Sequence, residues 1–167
     1  MTAAGKETAF SFAFDGLDGS PLPLSRFAGR PLVVVNTASY CGFTPQYADL
    51  EALWQRYREA GLVVLGVPCD DFGRQEPGEA AEISRFCRVT YGVDFPLAAK
   101  VHVRGPAAHP LFRWLAAEGG QLSRPRWNFY KYLIGRDGSL RGWFSSLTRP
   151  RSPRFTRAVA RLLAAKV

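Results

Sequence analysis

Short apolar runs separated by turn signals set the rhythm of this chain. Residues 9–24 break their apolar pieces with Asp15-Gly16 and Asp18-Gly19, dipeptides suited to tight turns, and predict an N-terminal β-hairpin. Residues 31–38, Pro-Leu-Val-Val-Val-Asn-Thr-Ala, run on without alternation, the pattern of a strand buried on both faces. From Tyr47 to Ala60 the period changes. Leu50, Leu53, Trp54 and Tyr57 recur at helical spacing, and Gly61 stands where a helix stops. A second buried strand follows at 62–68. Residues 77–89 predict a helix with Ile83, Phe86 and Cys87 near one face, and His109 to Ala117 predict another, led by Pro110. Strands at 132–135 and 140–144 flank Arg136-Asp137-Gly138-Ser139 as an antiparallel hairpin, and Ser152 caps a last helix that turns Phe155, Val159, Leu162 and Leu163 inward.

The order is therefore hairpin, β, α, β, α, α, β, β, α. The two long buried strands are neighbours and parallel, joined by a right-handed crossover through the first helix. This is an α/β protein, a three-layer α/β/α sandwich around a central mixed sheet. Strand–helix–strand followed by a helix, a hairpin and a last helix resembles the thioredoxin fold, here with insertions and the N-terminal β-hairpin.

Composition narrows the function classes. The 167 residues fit a single domain, 1–167, and 47% hydrophobic residues supply a sizeable core. No apolar run approaches the roughly 18 residues of a membrane span, so stable membrane insertion is not expected. The first twelve residues hold one lysine and no apolar segment of the signal-peptide kind, which sets a cytoplasmic location as the expectation. Three cysteines do not make a disulfide-stapled scaffold; in a reducing compartment they are packing, metal ligands or redox groups. The net charge of +8 raises nucleic acid or an anionic surface as a partner, but the basic residues are scattered until the tail, where Arg149, Arg151, Arg154, Arg157 and Arg161 follow one another. That spacing fits the solvated face of a terminal helix, and nucleic acid is not an expected partner.

Cys41 draws attention by its place. It follows the first buried strand and precedes the first helix, and ligands of open α/β sheets meet the protein beyond such strand ends. A helix N-terminus stabilises a thiolate, the reactive form of cysteine. Ser39-Tyr40-Cys41-Gly42 reads as an exposed turn. Position alone leaves both a reactive thiol and a packed small residue open. Two further segments reach the same edge: Val67 to Gly78, containing Cys69, Asp70, Asp71 and Gln75, and Trp127-Asn128-Phe129 before the hairpin. Gln75, Trp127 and Asn128 all carry N–H donors.

Asn36 to Tyr47, Val67 to Gly78 and Arg126 to Leu133 closely resemble the three signature segments of glutathione peroxidases, and the likeness continues through Glu82 to Pro96 and Gly105 to Leu115. It spans nearly all of residues 8–160 in the right order. The resemblance implies a thiol peroxidase with Cys41 as the peroxide-attacking cysteine and Gln75, Trp127 and Asn128 around it. Neutral N–H donors stabilise both a thiolate and the oxygen charge that develops as the O–O bond breaks. Selenocysteine, which some relatives use, is absent. The same resemblance, to the two-cysteine branch, implies Cys87 as the resolving cysteine, a Cys41–Cys87 disulfide and thioredoxin as reductant; glutathione as reductant, or a peroxide sensor that passes oxidation to a partner protein, are the alternatives. No cofactor and no metal are implied.

A disulfide needs Cα atoms within about 7 Å, so the helix carrying Cys87 is expected to unwind or shift on oxidation. Cys69 is expected to pack as a small hydrophobe. Asp70-Asp71 stands where the family commonly has Asn-Gln, and Val67 where Phe is usual; carboxylates pointing at Cys41 would raise its pKa, so at least one is expected to face solvent or an arginine, Arg74 being the nearest candidate. The stretch from Leu115 to Trp127 is short where tetrameric relatives carry an insertion, which implies a monomer with a site open to bulky lipid hydroperoxides as well as small peroxides.

Overall fold

The computed structural model describes residues 5–166; residues 1–4, the start of the N-terminal stretch read above, and residue 167 lie outside the described residues. In chain order the elements are β1 (Ala13–Asp15), β2 (Pro21–Pro23), β3 (Leu32–Thr37), α1 (Gln46–Tyr57), β4 (Val63–Pro68), α2 (Ala80–Arg85), a π-helical turn (Phe86–Thr90), α3 (Pro110–Gly119), β5 (Lys131–Ile134), β6 (Leu140–Phe144) and α4 (Pro153–Ala164).

The central sheet has the order β4-β3-β5-β6. β3 and β4 are parallel, with Val33 opposite Val64 and Val35 opposite Gly66, while β5 runs antiparallel to both β3 and β6. Every residue of β3 and β4 is buried, as the unbroken apolar runs predicted. The pleat divides them. Leu32, Val34, Val63 and Leu65 enter one core with α3 and the N-terminal hairpin, and Val33, Val35 and Val64 enter another with α1, α4 and Cys87. Helices and hairpin thus cover both faces, in the thioredoxin arrangement. β6, at the sheet edge, is only half-buried and carries the exposed Arg141, a charge that discourages further strand pairing.

Two elements differ from the sequence reading. Residues 9–11 form a single 3-10 turn, because Thr8 and Ser11 cap its start reciprocally, and the hairpin strands are only three residues long. The helix expected over 77–89 begins at Ala80 and widens into the π-turn at Phe86. Pro77 and Gly78 hold the chain out of the helix at one end. At the other, the extra residue of the π-turn keeps Cys87 fully buried while its neighbours Arg88 and Val89 are exposed.

The terminal arginines behave as a solvated face. Arg154, Arg157 and Arg161 are exposed; Arg151 pairs with Asp49 at 3.3 Å, and the Arg154 guanidinium lies over the Phe144 ring. Among the described residues no helix is long and apolar enough to cross a membrane.

Lys131, at the start of β5, is fully buried. Its ammonium donates to Gln46 Oε1 and to the Phe129 carbonyl, both at 2.8 Å and both neutral. Burial pushes its pKa down to about 7. An unfolded lysine holds its proton to about pH 10.4, so across the alkaline interval the unfolded chain binds more protons and stability rises with pH. Denaturant titrations of wild type and Lys131→Met at about pH 7 and about pH 9 are expected to move the difference between them in favour of wild type at the higher pH.

Candidate active site

The carboxyl ends of the parallel strands β3 and β4 deliver Cys41 and Gln75 to one edge of the sheet, and β5 brings Trp127 and Asn128 there from the opposite direction. Register does the last part: Lys131 pairs with Val35, so the residues just before β5 lie beside the end of β3. Asn36 then fixes them. Its side-chain amide donates to the Trp127 carbonyl at 3.0 Å, its Oδ1 accepts from the Tyr130 N–H at 3.0 Å, and its backbone carbonyl accepts from the Phe129 N–H at 2.6 Å. The sequence had offered this residue only as a polar interruption at the end of an apolar strand.

Gln75 joins the segments. Asn128 Nδ2 donates to Gln75 Oε1 at 3.0 Å, and the Gln75 carbonyl accepts from the Tyr40 N–H at 3.0 Å, next to Cys41. Because Oε1 is occupied by Asn128, the amide nitrogen of Gln75 is the end left to face outward. Asn128 is fully buried, with its own carbonyl accepting from the Ser146 hydroxyl. The half-buried Trp127 packs against Phe72, ring centroids 6.0 Å apart, and against the core cluster that contains Cys41.

The backbone is strained on either side of this junction. Arg74 and Phe129 are the non-glycine residues with positive φ among those described, at 52° and 65°, and they immediately flank Gln75 and Asn128. Gly73, φ 66°, makes the same turn possible: a Cβ there would stand 3.2 Å from the Trp127 ring.

Cys41 is placed differently from expectation in two respects. Its side chain is 7% exposed rather than carried on an open turn, while Tyr40 beside it is 67% exposed. Helix α1 begins only at Gln46, and a series of tight turns, Thr44 N–H to Cys41 O and Gln46 N–H to Phe43 O, fills the interval. The helix terminus therefore lies beyond the sulfur. The Phe43 N–H donates to Cys41 Sγ at 3.4 Å, and the Thr44 hydroxyl pins the loop by accepting from the Cys41 N–H and donating to Ala38 O.

Residues 9–116 match the family model for glutathione peroxidase. The chain is 47% identical to the hydroperoxy fatty acid reductase gpx1 of Synechocystis, over 90% of this chain and 94% of that protein. It is also 47% identical to the glutathione peroxidase-like peroxiredoxin gpx1 of Schizosaccharomyces pombe, over 80% and 85%. The crystal structure of Trgpx in apo form superimposes with a TM-score of 0.79 at 34% identity, covering 97% of this chain and 99% of that one. This chain belongs to the glutathione peroxidase family. With that it is placed among the peroxidases.

Within this family member the departures at 70 and 71 resolve locally, though not as expected: Arg74 is not the partner. Asp71 accepts from His102 Nδ1 at 2.6 Å and from the Val103 and Arg104 N–H groups, and the Arg104 side chain donates to its carbonyl. Burial works to raise the Asp71 carboxyl, but the His102 contact and the two N–H groups outweigh it and hold the pKa below its ordinary value. Asp70 accepts from the Glu76 N–H at 2.9 Å and so closes the turn that carries Gln75. Both carboxylates are thus engaged by other groups.

The three thiols are free and differ sharply in environment. Burial pushes Cys69 up to about 12 and Cys87 up to about 11, and neither has any exposed surface. Cys69 packs as expected, within the core beneath Phe72. Iodoacetamide labelling of the native reduced protein, followed by peptide mass mapping, is expected to modify Cys41 at least tenfold faster than Cys69 or Cys87, since burial suppresses the thiolates of Cys69 and Cys87 and shields both from the reagent; equal labelling of all three would contradict this ordering.

Proposed function

We propose that the chain is a two-cysteine thiol peroxidase that reduces hydrogen peroxide and organic or lipid hydroperoxides, with Cys41 as nucleophile, Gln75, Trp127 and Asn128 as the groups that stabilise charge around it, and Cys87 as the resolving cysteine. The observation that carries the reading is the bond from Asn128 to Gln75 Oε1, which leaves the Gln75 amide N–H group free while its carbonyl holds the Tyr40 N–H beside Cys41.

The Cys41 thiolate attacks one oxygen of the hydroperoxide. The S–O bond forms as the O–O bond breaks, and the departing alkoxide or hydroxide takes up a proton to leave as alcohol or water, with Cys41 left as sulfenic acid. Donors fixed in advance by buried hydrogen bonds stabilise the oxygen charge without having to reorient. Cys87 then displaces the sulfenic hydroxyl as water and forms the Cys41–Cys87 disulfide, which a dithiol protein of the thioredoxin type reduces by exchange. The π-turn that carries Cys87 supports this: a widened turn at the end of the short α2 is a ready place for the helix to open.

The lipid range draws support from the Synechocystis relative, which is named for fatty acid hydroperoxides, and from the short path after α3, where a 3-10 turn at Gln121–Ser123 leads almost directly to Trp127. The same shortness supports a monomer, and the buried thiols suit a reducing cytoplasm.

NADPH consumption with hydrogen peroxide, thioredoxin and thioredoxin reductase tests the assignment. Cys41→Ser is expected to abolish turnover, and Cys87→Ser to lower thioredoxin-dependent turnover at least tenfold while a stoichiometric burst of peroxide loss remains. Turnover of Cys87→Ser at the wild-type rate would remove the resolving role, and faster turnover with glutathione and its reductase would move the reductant assignment to glutathione.

A further inference from the structure

A cavity of about 870 Å³ opens between α3, the loop before it and the turn that leads to Trp127. Small-molecule sites span roughly 300–1,000 Å³, so this one is large enough for a ligand. Its floor is apolar. Val103, Ala108 and Phe112 are buried there, with Ala116 and Pro125 beside them. Around the floor stand four exposed arginines, Arg104, Arg113, Arg124 and Arg126, and among the described residues no aspartate or glutamate lines the cavity. The peroxide chemistry above uses none of these side chains.

Neutral acceptors hold these arginines and leave their charge unbalanced. Arg104 donates to the Asp71 carbonyl at 2.7 Å, and its guanidinium lies over the Phe72 ring, 4.7 Å from the centroid. Arg113 donates to the Pro106 carbonyl, and Arg126 to the Tyr130 hydroxyl at 3.2 Å. A guanidinium carries five N–H donors, so most of them stay open. Lys6, Arg141 and Arg151 each pair with a carboxylate, but among the described residues none of these four arginines does. The nearby acids are committed elsewhere. Glu118 of α3 pairs with Lys6, and the Asp71 carboxylate takes His102 and the Val103 and Arg104 backbone N–H groups. Uncompensated positive charge around an apolar floor is the complement of an anion with a long apolar body.

We propose that this cavity is a subsite for the carboxylate end of free long-chain fatty-acid hydroperoxides, gripped by Arg113 and Arg124, with the first part of the acyl chain on Val103, Phe112 and Pro125. The inference rests on the lipid-hydroperoxide reading above and names the end of that substrate which the protein recognises. The cavity adjoins the reactive edge: Arg126 directly precedes Trp127, and the Phe72 ring beneath Arg104 also packs against Trp127 at 6.0 Å. A planar guanidinium suits a carboxylate because it binds both oxygens at once. Hydrogen peroxide and esterified lipids lack the anion and gain nothing from the arginines. The subsite therefore sets preference among peroxides and leaves the attack by Cys41 unchanged. Arg104 and Arg126 are also tied to Phe72 and Tyr130, so Arg113 and Arg124 are the pair to replace without disturbing those aromatic rings.

Equilibrium dialysis of the full-length protein with linoleate, which carries no peroxide, reads binding apart from turnover. Wild type is expected to bind it, more weakly as salt is raised, and the double variant Arg113→Gln, Arg124→Gln to bind it at least about tenfold more weakly. NADPH-coupled turnover then compares linoleic acid hydroperoxide, its methyl ester and hydrogen peroxide. Wild type is expected to show a higher kcat/KM for the acid than for the ester. The double variant is expected to lose that preference and to keep wild-type rates with the ester and with hydrogen peroxide. Absence of linoleate binding to wild type, equal binding by the variant, or an equal loss of rate with acid and ester would overturn the subsite. Tighter binding of linoleoyl-lysophosphatidylglycerol than of linoleate would overturn the free-acid assignment in favour of a phospholipid headgroup. Linoleate binding without turnover of either lipid hydroperoxide would overturn the lipid reading itself, and with it the subsite's part in the reaction.

Discussion

The site depends on one buried amide. Asn36, at the last inward turn of β3, makes three hydrogen bonds to the segment from Trp127 to Tyr130 and so locks two antiparallel strands together just where their ends must meet. A polar side chain with no exposed surface is costly unless fully paired, and both polar ends of this one are paired. With Asn36 in place, Phe129 can hold a left-handed backbone that no apolar contact would by itself impose, Asn128 is turned toward Gln75, and Gln75 is tied back to the loop of Cys41. Deeper in, the Lys131 ammonium braces the same corner through Gln46, whose amide reaches the Ser146 carbonyl at 2.7 Å. The reactive edge is thus built on a connected polar scaffold, not on apolar packing alone.

All three cysteines are buried, yet their surroundings differ. Cys41 lies at the rim with an N–H near its sulfur, while Cys69 and Cys87 lie where burial opposes ionisation. In the proposed cycle Cys87 waits for Cys41 to be oxidised, and burial holds it protonated until then.

Much of this was legible in the sequence. The unbroken valine runs gave β3 and β4 because burial on both faces leaves no room for alternation, and helical periodicity placed α1, α3 and α4 within a few residues. Cys41, Gln75, Trp127 and Asn128 could be singled out as candidates because the family's signature segments contain them and strand ends and donor chemistry point to the same edge. Other features were hidden by the rules that make reading work. Lys131 and Glu76 were passed over since charged side chains are ordinarily outside, and only the folded surroundings reveal that they are not. The π-turn at Phe86–Thr90 leaves no periodic trace; it follows from fitting Cys87 under the sheet. Asp71 chose His102, thirty-odd residues along the chain, over the adjacent Arg74, whose backbone is committed to a left-handed turn.

Non-reducing peptide mapping after a single equivalent of peroxide tests the central claim most directly, that Cys41 is the residue that attacks the peroxide and Cys87 the one that closes the cycle. The account predicts one crosslinked peptide pair, joining the segment of Cys41 to that of Cys87, with Cys69 unmodified, and sulfenic acid confined to Cys41 when Cys87 is replaced by serine. Oxidation that begins at Cys69, or a protein whose Cys41 remains a thiol while peroxide is consumed, would contradict it.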